Sequence, residues 1–291
     1  MTVSVEQWKS EGTTAELLGH EVFYMDSGEP GRPTVFLIHG FPTASWDWAP
    51  IWEELHETHR LVALDMLGFG FSAKPPGHHY SIMEQADLCE ALVRSLRLTE
   101  FHVLAHDYGD TVAQELLARQ NEGSGRGAWL SACLLNGGLF PETHRPRLIQ
   151  RVLLSPAGGL ATKLLSKRGF ARSFSAVFGR DTKPSPEDID AFWQLINHNE
   201  GKQGFHRLIH YMPEREQYRD RWVRALRDSA VPLGLINGSV DPVSGAHMVA
   251  RYREVVSKDH FIVELPTIGH YPQVEAPDAV LDAYRRFLQT V

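Results

Sequence analysis

Six short apolar segments recur along the chain, and each ends at or beside a Gly, Asp or Pro. They are rich in leucine or β-branched residues and continuously apolar, which is typical of strands that are buried on both faces. We therefore expect strands at TVFLIHG (34–40), RLVALDM (60–66), FHVLAHD (101–107), WLSACLLNG (129–137), VPLGLING (231–238) and HFIVELP (260–266).

The segments between these strands have the apolar spacing of helices. Alternation of strands with helices predicts an α/β fold, in which helices flank both faces of a mostly parallel sheet. The stretch ELLGHEVFYMDSG (16–28) has the pattern of an antiparallel hairpin that precedes this sheet. The helices are expected near residues 44–56, 81–97, 109–121, 245–256 and 276–289.

One long interval, 138–228, breaks the alternation. It contains helix-like pieces such as HRPRLIQRVLL and PEDIDAFWQLINHN but no convincing core strand. About 90 residues are too many for a structureless loop, so we expect a helical lid, or cap, domain. The core domain would then comprise 1–137 and 229–291. The lid would cover the carboxyl edge of the sheet, where open α/β sheets bind their ligands.

Composition limits the classes of partner. The chain has 291 residues, 43% hydrophobic and 22% charged, with a net charge of −7 and with Lys and Arg spread along its length. This distribution argues against nucleic acid and against a basic patch for anionic lipid. The N-terminus lacks a signal pattern, and no apolar run reaches the length of about 18 residues that a membrane span needs. We expect a soluble cytoplasmic protein without a membrane partner, either monomeric or homodimeric.

No cofactor or metal is expected. Cys89 and Cys133 lie in apolar helix-like and strand-like stretches, which favours buried free thiols over a disulfide or a zinc site. GFGFS (68–72) contains Gly-x-Gly but lacks the third Gly and the following helix of a dinucleotide site. A tight turn explains this segment better.

The stretch AHDYGD (105–110) places Asp107 between a predicted strand and a predicted helix. A nucleophile on such a sharp turn needs small residues two positions before and two positions after it, and Ala105 and Gly109 occupy these positions. Asp is also a common helix cap. The stretch alone leaves both roles open for Asp107.

Two further residues favour the nucleophile. Asp241 follows the predicted strand 231–238, and His270 follows the last predicted strand. Either residue alone could belong to an ordinary turn or surface. A nucleophile, an acid and a histidine that arrive in this order at successive strand ends instead favour a catalytic triad.

The segments HGFP (39–42), DMLGFGFSAKP (65–75) and HDYGD (106–110) resemble those of α/β-hydrolases in the epoxide hydrolase and haloalkane dehalogenase group. The resemblance extends over nearly the whole chain. It implies that Asp107 is the nucleophile and that the backbone N–H groups of Phe41 and Tyr108 form an oxyanion hole. It also places His39 in the substrate-binding loop.

An aspartate nucleophile limits the chemistry. Attack on a carboxylic ester would give a reactive anhydride, whereas attack on a saturated carbon gives an ordinary ester between enzyme and substrate. His270 would then activate water to hydrolyse this ester, and Asp241 would orient the imidazole ring. The substrate is therefore expected to be a small carbon electrophile with a leaving group, such as an epoxide or a haloalkane.

The group's patterns help to identify the leaving group. Dehalogenases of this group usually carry Trp after the nucleophile and Asn or Trp as a second halide donor. This chain has Tyr108 and Phe41 at those positions, although Trp193 in the lid offers an indole N–H. These departures weaken the dehalogenase interpretation.

Epoxide hydrolases of the group usually present two lid tyrosines as proton donors. The resemblance assigns this role to Tyr211, with Tyr218 as a second candidate. The first lid tyrosine is missing, since no Tyr occurs between residues 109 and 210. Either one phenol is enough to protonate the leaving group, or a group such as His144 replaces the second phenol, or the reaction is a different one. We expect an epoxide hydrolase that forms a vicinal diol; the alternatives are a haloalkane dehalogenase and a non-catalytic binding protein.

Overall fold

An eight-stranded sheet organises the chain in the computed structural model, which describes residues 3–28, 31–257 and 259–291. The strand order is β1-β2-β4-β3-β5-β6-β7-β8; β1 and β2 pair antiparallel to their neighbours and all other pairs are parallel. The strands are β1 (Thr13–Leu17), β2 (His20–Asp26), β3 (Thr34–Ile38), β4 (Arg60–Leu64), β5 (Glu100–His106), β6 (Ala128–Leu135), β7 (Leu233–Gly238) and β8 (Phe261–Leu265).

The predicted α/β architecture is confirmed, and all six predicted core strands are present. β3 and β7 are buried at every position, as their continuous apolar sequences require. β8 is half-buried because it lies at the edge of the sheet. The hairpin begins at Thr13, three residues earlier than predicted, because most of β1 is exposed and its sequence TTAEL carries little hydrophobic signal.

Fourteen helices surround the sheet in the described residues. Cys89 and Cys133 are both buried free thiols, as expected. Of the helices in the described ranges, none is long and apolar enough to cross a membrane. The helices are α1 (Val5–Glu11), α2 (Ala49–His56), α3 (Ile82–Ser95), α4 (Tyr108–Asn121), α5 (Leu148–Leu154), α6 (Gly158–Leu164), α7 (Lys167–Ser175), α8 (Pro186–Asn197), α9 (Phe205–Leu208), α10 (Tyr211–Gln217), α11 (Arg219–Arg227), α12 (Ala246–Val255), α13 (Pro272–Glu275) and α14 (Pro277–Leu288).

Helices α5–α11 lie between β6 and β7, a stretch that the structure describes throughout and that contains no strand. This layer is tied to the sheet layer by several hydrogen bonds. α11 packs on α4, where Trp222 Nε1 donates to Glu115 Oε2 at 2.9 Å. The backbone N–H of His270 donates to the carbonyl oxygen of Val177 at 2.9 Å. The division into a core domain and a lid at 138 and 228 stays a prediction.

Candidate active site

Asp107 lies on a sharp turn between β5 and α4, with φ 50° and ψ −105°. This conformation is strained for any residue other than Gly and is found mainly at functional sites. A Cβ on Gly109 would lie 2.3 Å from the carbonyl oxygen of Ile38, so only Gly fits there. The Asp107 side chain makes no capping hydrogen bond to α4. The helix-cap alternative is therefore not supported.

The Asp107 carboxylate is buried and faces several donors. The backbone N–H of Phe41 donates to Oδ2 at 3.1 Å. His270 Nε2 lies 3.7 Å from Oδ1, and Arg215 Nη2 lies 3.9 Å from the same atom. Burial raises the pKa of the Asp107 carboxyl, but His270, Arg215 and His106 outweigh it and hold the pKa well below its usual range. Asp107 is therefore ionised at neutral pH.

His270 joins the two aspartates. Its Nδ1 lies 2.7 Å from Asp241 Oδ2, which makes Nδ1–H the donor and leaves Nε2 directed toward Asp107. Burial lowers the pKa of His270, but the charges of Asp241 and Asp107 outweigh it and raise the pKa well above its usual value. The three side chains lie in the order that proton transfer at a triad requires.

Asp241 is held by donors that the sequence did not reveal. It accepts from Asn136 Nδ2 at 3.0 Å, from the Val243 N–H at 2.7 Å and from Ser244 Oγ at 2.8 Å. Burial raises the pKa of Asp241, and the His270 charge with these hydrogen bonds lowers it overall. Asn136, at φ 47°, directly follows β6 in the sequence LLNGG; a polar residue at a strand end was the available signal.

Arg215, on α10, was also missed. Its guanidinium is buried: Nε donates to Thr111 Oγ1 at 2.8 Å and Nη2 to the main-chain carbonyl of Asp107 at 3.2 Å. It also stacks on the ring of Tyr211 at 4.5 Å. A Cβ on Gly138 would lie 2.3 Å from Nη1, so this glycine makes room for the arginine. The surrounding sequence PEREQYRDRW is so rich in charge that no single arginine is distinguished.

A partly open, mostly apolar cavity reaches Asp107 and His270. Its volume is about 100 Å³. α5, α6 and α7 contribute much of its wall, and Tyr271, whose hydroxyl donates to the Phe41 carbonyl at 3.0 Å, contributes to the floor. The lining residues are Phe41, Pro42, Asp107, Arg147, Ile149, Gln150, Leu153, Ala161, Thr162, Leu165, Phe170, Ser173, Phe174, Val177, Phe205, Val243, His270 and Tyr271.

Tyr211 lies beside the nucleophile; it is not among the described residues that line the cavity, but it packs against the lining residue Phe41. Its ring packs against those of Phe41 and Tyr108, with centroids 6.0 and 4.9 Å away. Burial and the Asp107 charge raise the pKa of its phenol, so the hydroxyl keeps its proton. Tyr108, the first residue of α4, has a buried ring. The structure thus brings Tyr211, Tyr108 and Phe41 to the nucleophile.

Three residues that the sequence suggested for the substrate site are not among the described residues that line the cavity: His39 of the substrate-binding loop, the indole donor Trp193 and the second lid tyrosine, Tyr218. His39 is fully buried: its Nε2 accepts from the Met66 N–H at 3.0 Å, and its Nδ1 donates to the Gly40 carbonyl at 2.8 Å. Trp193 packs on Phe170 and Lys202. Tyr218 packs on Trp222. Their contacts with neighbouring side chains give them a structural role.

His144 lies near the charged groups of the site. Burial and the positive charge of Arg215 lower the pKa of His144 to about 3. Both ring nitrogens are buried without a hydrogen-bond partner in the described structure. The ring is therefore neutral at neutral pH and has no proton to transfer as an imidazolium.

One cluster could hold a metal ion. In the described residues, ligand atoms of His20, His78 and Glu84 lie within 4.8 Å of one another, and His78 Nε2 is 2.8 Å from Glu84 Oε1. None of the three lines the cavity. The candidate active site itself is built from carboxylates, imidazoles and backbone N–H groups, without a group of three metal ligands among its described residues.

Comparisons with known proteins identify the family. Residues 35–283 match the Alpha/beta hydrolase family. The bovine mesoderm-specific transcript homolog protein is 44% identical over 303 residues, covering 100% of this chain and 89% of that protein. LipZ of Mycobacterium tuberculosis is 39% identical, covering 96% of both chains. The haloalkane dehalogenase DbeA of Bradyrhizobium elkani has a similar structure, with a TM-score of 0.79, 22% identity, and coverage of 96% of this chain and 99% of that one. The chain therefore belongs to the alpha/beta hydrolase family.

Proposed function

We propose that this hydrolase opens epoxides to vicinal diols through a covalent ester on Asp107. One observation carries the proposal: the side chain on the strained turn is an ionised carboxylate whose Oδ2 accepts from the Phe41 N–H. A carboxylate that attacks a saturated carbon forms a stable ester, whereas attack on an acyl carbon would form an anhydride. A carbon electrophile is therefore the substrate class that suits this nucleophile.

Oδ1 of Asp107 would carry out the attack, since Oδ2 is held by the Phe41 N–H. The C–O bond of the epoxide breaks as the new ester bond forms, and the alkoxide oxygen takes up a proton. His270 Nε2, 3.7 Å from Oδ1, would then remove a proton from water, which attacks the Asp107 carbonyl carbon. The N–H groups of Phe41 and Tyr108 would stabilise the oxyanion that develops on Oδ2.

Tyr211 is proposed to protonate the leaving alkoxide. Its ring lies against Phe41 and Tyr108, close to the attacking carboxylate, and its phenol keeps its proton. A halide needs N–H donors instead. Neither Tyr211 nor Trp193 lines the cavity, but Tyr211 packs on Phe41 and Tyr108 beside Asp107, whereas the ring of Trp193 contacts Phe170 and Lys202. These contacts support an oxygen leaving group over a halide. Tyr218 lies against Trp222 and is not proposed as a second donor.

A single turnover in ¹⁸O-water tests the covalent step. Enzyme in excess over styrene oxide is expected to place one ¹⁸O in the Asp107 carboxyl, detected by mass analysis of the peptide that contains it, while the diol carries oxygen from Asp107. Asp107→Asn should abolish turnover, and Asp87→Asn is the matched control on the exposed side of α3. Turnover with unlabelled Asp107 would rule out the ester.

A second measurement distinguishes the leaving groups. Styrene oxide should yield diol, and 1,2-dibromoethane should release no bromide. Bromide release without diol formation would identify a dehalogenase. Absence of turnover on both substrates, with Asp107→Asn indistinguishable from the unmodified chain in ligand binding, would identify a binding protein.

A further inference from the structure

Nine of the 29 Lys and Arg lie in one part of the helical layer, so the expectation from the whole chain that there is no basic patch does not hold for this segment. Residues 145–183 contain nine Lys and Arg and one acidic residue, a net charge of +8 in a chain whose net charge is −7. This segment includes α5, α6 and α7. The remainder of the chain is therefore strongly acidic. A count along the whole sequence hides this asymmetry.

Four of these nine basic side chains are available to an external anion. Arg151, Lys163, Arg168 and Arg172 are exposed, and their side chains form no ion pair with any of the described residues. Lys167 pairs with Asp190. On α7, Arg168 and Arg172 are four residues apart and therefore lie on the same face, opposite the buried rings of the helix.

The same helices expose large apolar side chains. Leu148 on α5 is 77% exposed, and Leu160 and Leu164 on α6 are 61% and 73% exposed. These are the most exposed large hydrophobic side chains among the described residues. Leu160 and Leu164 are four residues apart, so they project side by side, with Lys163 next to them. We call the set Leu148, Leu160, Leu164, Lys163, Arg168 and Arg172 the lid face.

Residues of the lid face are neighbours in sequence of residues that line the cavity. Leu148 lies between two cavity-lining residues, Arg147 and Ile149. Leu160 directly precedes the lining residue Ala161 on α6. Leu164 directly precedes the lining residue Leu165 at the end of the same helix. The partly exposed lining residues lie mainly on α5, α6 and α7, so the cavity opens between these helices. An apolar molecule held in a surface beneath the lid face would therefore lie close to these helices and to the cavity between them.

We propose that the lid face docks on an anionic lipid membrane. Exposed leucines interleaved with unpaired basic residues on short helices are the pattern of an interfacial helix surface. Each Lys or Arg near an anionic leaflet adds attraction, and the acidic remainder of the chain is repelled, which orients the cavity entrance toward the lipid. A protein partner would need a matching pocket for each projecting leucine, whereas a bilayer accepts any arrangement. The inference does not depend on the reaction at Asp107.

Vesicle flotation with the full chain tests this docking. We expect flotation with vesicles that contain about 30 mol% phosphatidylglycerol at about 0.15 M salt, and none with pure phosphatidylcholine. The pair Arg168→Glu and Arg172→Glu should lower the partition coefficient about thirtyfold or more, because each basic residue near an anionic surface contributes about a factor of five. The matched control is Arg94→Glu with Arg97→Glu, two exposed arginines at the end of α3. This control should float like the unmodified chain.

A separate variant tests the contribution of the leucines in the lid face. Leu148→Ser with Leu164→Ser should lower the partition coefficient about tenfold or more, because both leucines lose burial in the bilayer. Circular dichroism and the melting temperature establish that each variant is folded. Failure of the unmodified chain to float with anionic vesicles would overturn the proposal, as would equal losses in the lid and control pairs. Tight binding to polyglutamate with no effect of the leucine changes would point to an acidic protein surface and would also overturn it.

Discussion

Arg215 Nη2 donates to the main-chain carbonyl of Asp107 and lies 3.9 Å from its carboxylate oxygen Oδ1. Arg215, which belongs to the helical layer, therefore both hydrogen-bonds to the backbone of Asp107 at the strained turn and lies close to its negative charge. Thr111 Oγ1 accepts from Nε of the same guanidinium, which fixes the arginine against the first turn of α4. The helical layer and the turn are thus connected through one buried cation.

Replacing Arg215 by Met should remove this connection. The buried Asp107 carboxylate would lose a positive neighbour, so we expect the free energy of unfolding to fall by about 3–5 kcal/mol. The rate of ester formation should fall about tenfold because the turn loses a hydrogen bond that positions it. Arg215→Lys keeps the charge but not the two-sided contact, and should lie between Met and the unmodified chain. Urea unfolding and single-turnover kinetics measure both; a Met variant of unchanged stability and rate would contradict this role.

Asp241→Asn should lower the pKa of His270. The Asp241 charge is one of the causes that raise this pKa against the effect of burial, and the amide removes the charge at nearly constant shape. The imidazolium that forms during water activation would also lose its partner, so turnover should fall about 10³–10⁴-fold. NMR titration of His270 and steady-state kinetics are the measurements. Asp228→Asn, at an exposed position, is the control and should change neither.

Formation of the ester should itself shift the titration of His270. The Asp107 carboxylate also raises the pKa of His270, and this charge disappears when the carboxylate becomes a neutral ester. The pKa of His270 in the ester therefore lies below that in the free protein. The acid limb of kcat, when ester hydrolysis limits the rate, should therefore lie at a lower pH than the His270 transition measured by NMR in the free protein. An acid limb at or above that transition would contradict the formation of an ester on Asp107 before hydrolysis.

The sequence predicted the elements that are defined by local pattern. β5 ends at His106, one residue before Asp107, and β7 ends at Gly238, three residues before Asp241. Both strands are mostly apolar toward their ends, so the polar residues that follow them were conspicuous. Parallel strands bring their carboxyl ends to one edge, so the proximity of Asp107, Asp241 and His270 followed from the strand assignments. Each of these positions could be identified from a few neighbouring residues.

The remaining residues depend on contacts between distant parts of the chain. Arg215 is one arginine among many in its segment, and only the packing of α10 on the turn makes it buried. Asn136 binds Asp241 from 105 positions away. His39, next to the turn in space, was assigned to the substrate, but the backbone groups of Gly40 and Met66 use both its nitrogens. Local periodicity carries no information about such pairings.

His39→Leu should destabilise the fold without changing substrate preference. The Met66 N–H and the Gly40 carbonyl would be left buried without their partner, which costs about 2–4 kcal/mol in total. The ratio of kcat/KM for two epoxides should stay constant because His39 does not line the cavity. His79→Leu, at an exposed position, serves as the control for stability. A changed substrate ratio with unchanged stability would restore a role in substrate binding.

The buried ring of His106 should make stability depend on pH. Its Nε2–H donates to the His270 carbonyl at 2.7 Å, and its Nδ1 is buried without a partner in the described structure. Burial, with the His270 charge, lowers the pKa of His106 to about 4, below the value of about 6.5 in an unfolded chain. Between these pH values the unfolded chain therefore binds a proton at His106, whereas the folded protein does not. Stability that is present above pH of about 6.5 is lost as the pH falls toward 4, by about 3 kcal/mol.

His106→Gln isolates this contribution. The Gln amide can still donate to the His270 carbonyl but does not titrate. The free energy of unfolding should therefore fall by about 3 kcal/mol less between pH of about 6.5 and 4 than it does in the unmodified chain. Urea unfolding at several pH values in this window measures the difference. His79→Gln, an exposed histidine, should keep the slope of the unmodified chain. If both variants kept that slope, the acid sensitivity would have to arise from other groups, of which His144, with its pKa lowered to about 3 by burial, is the next to test.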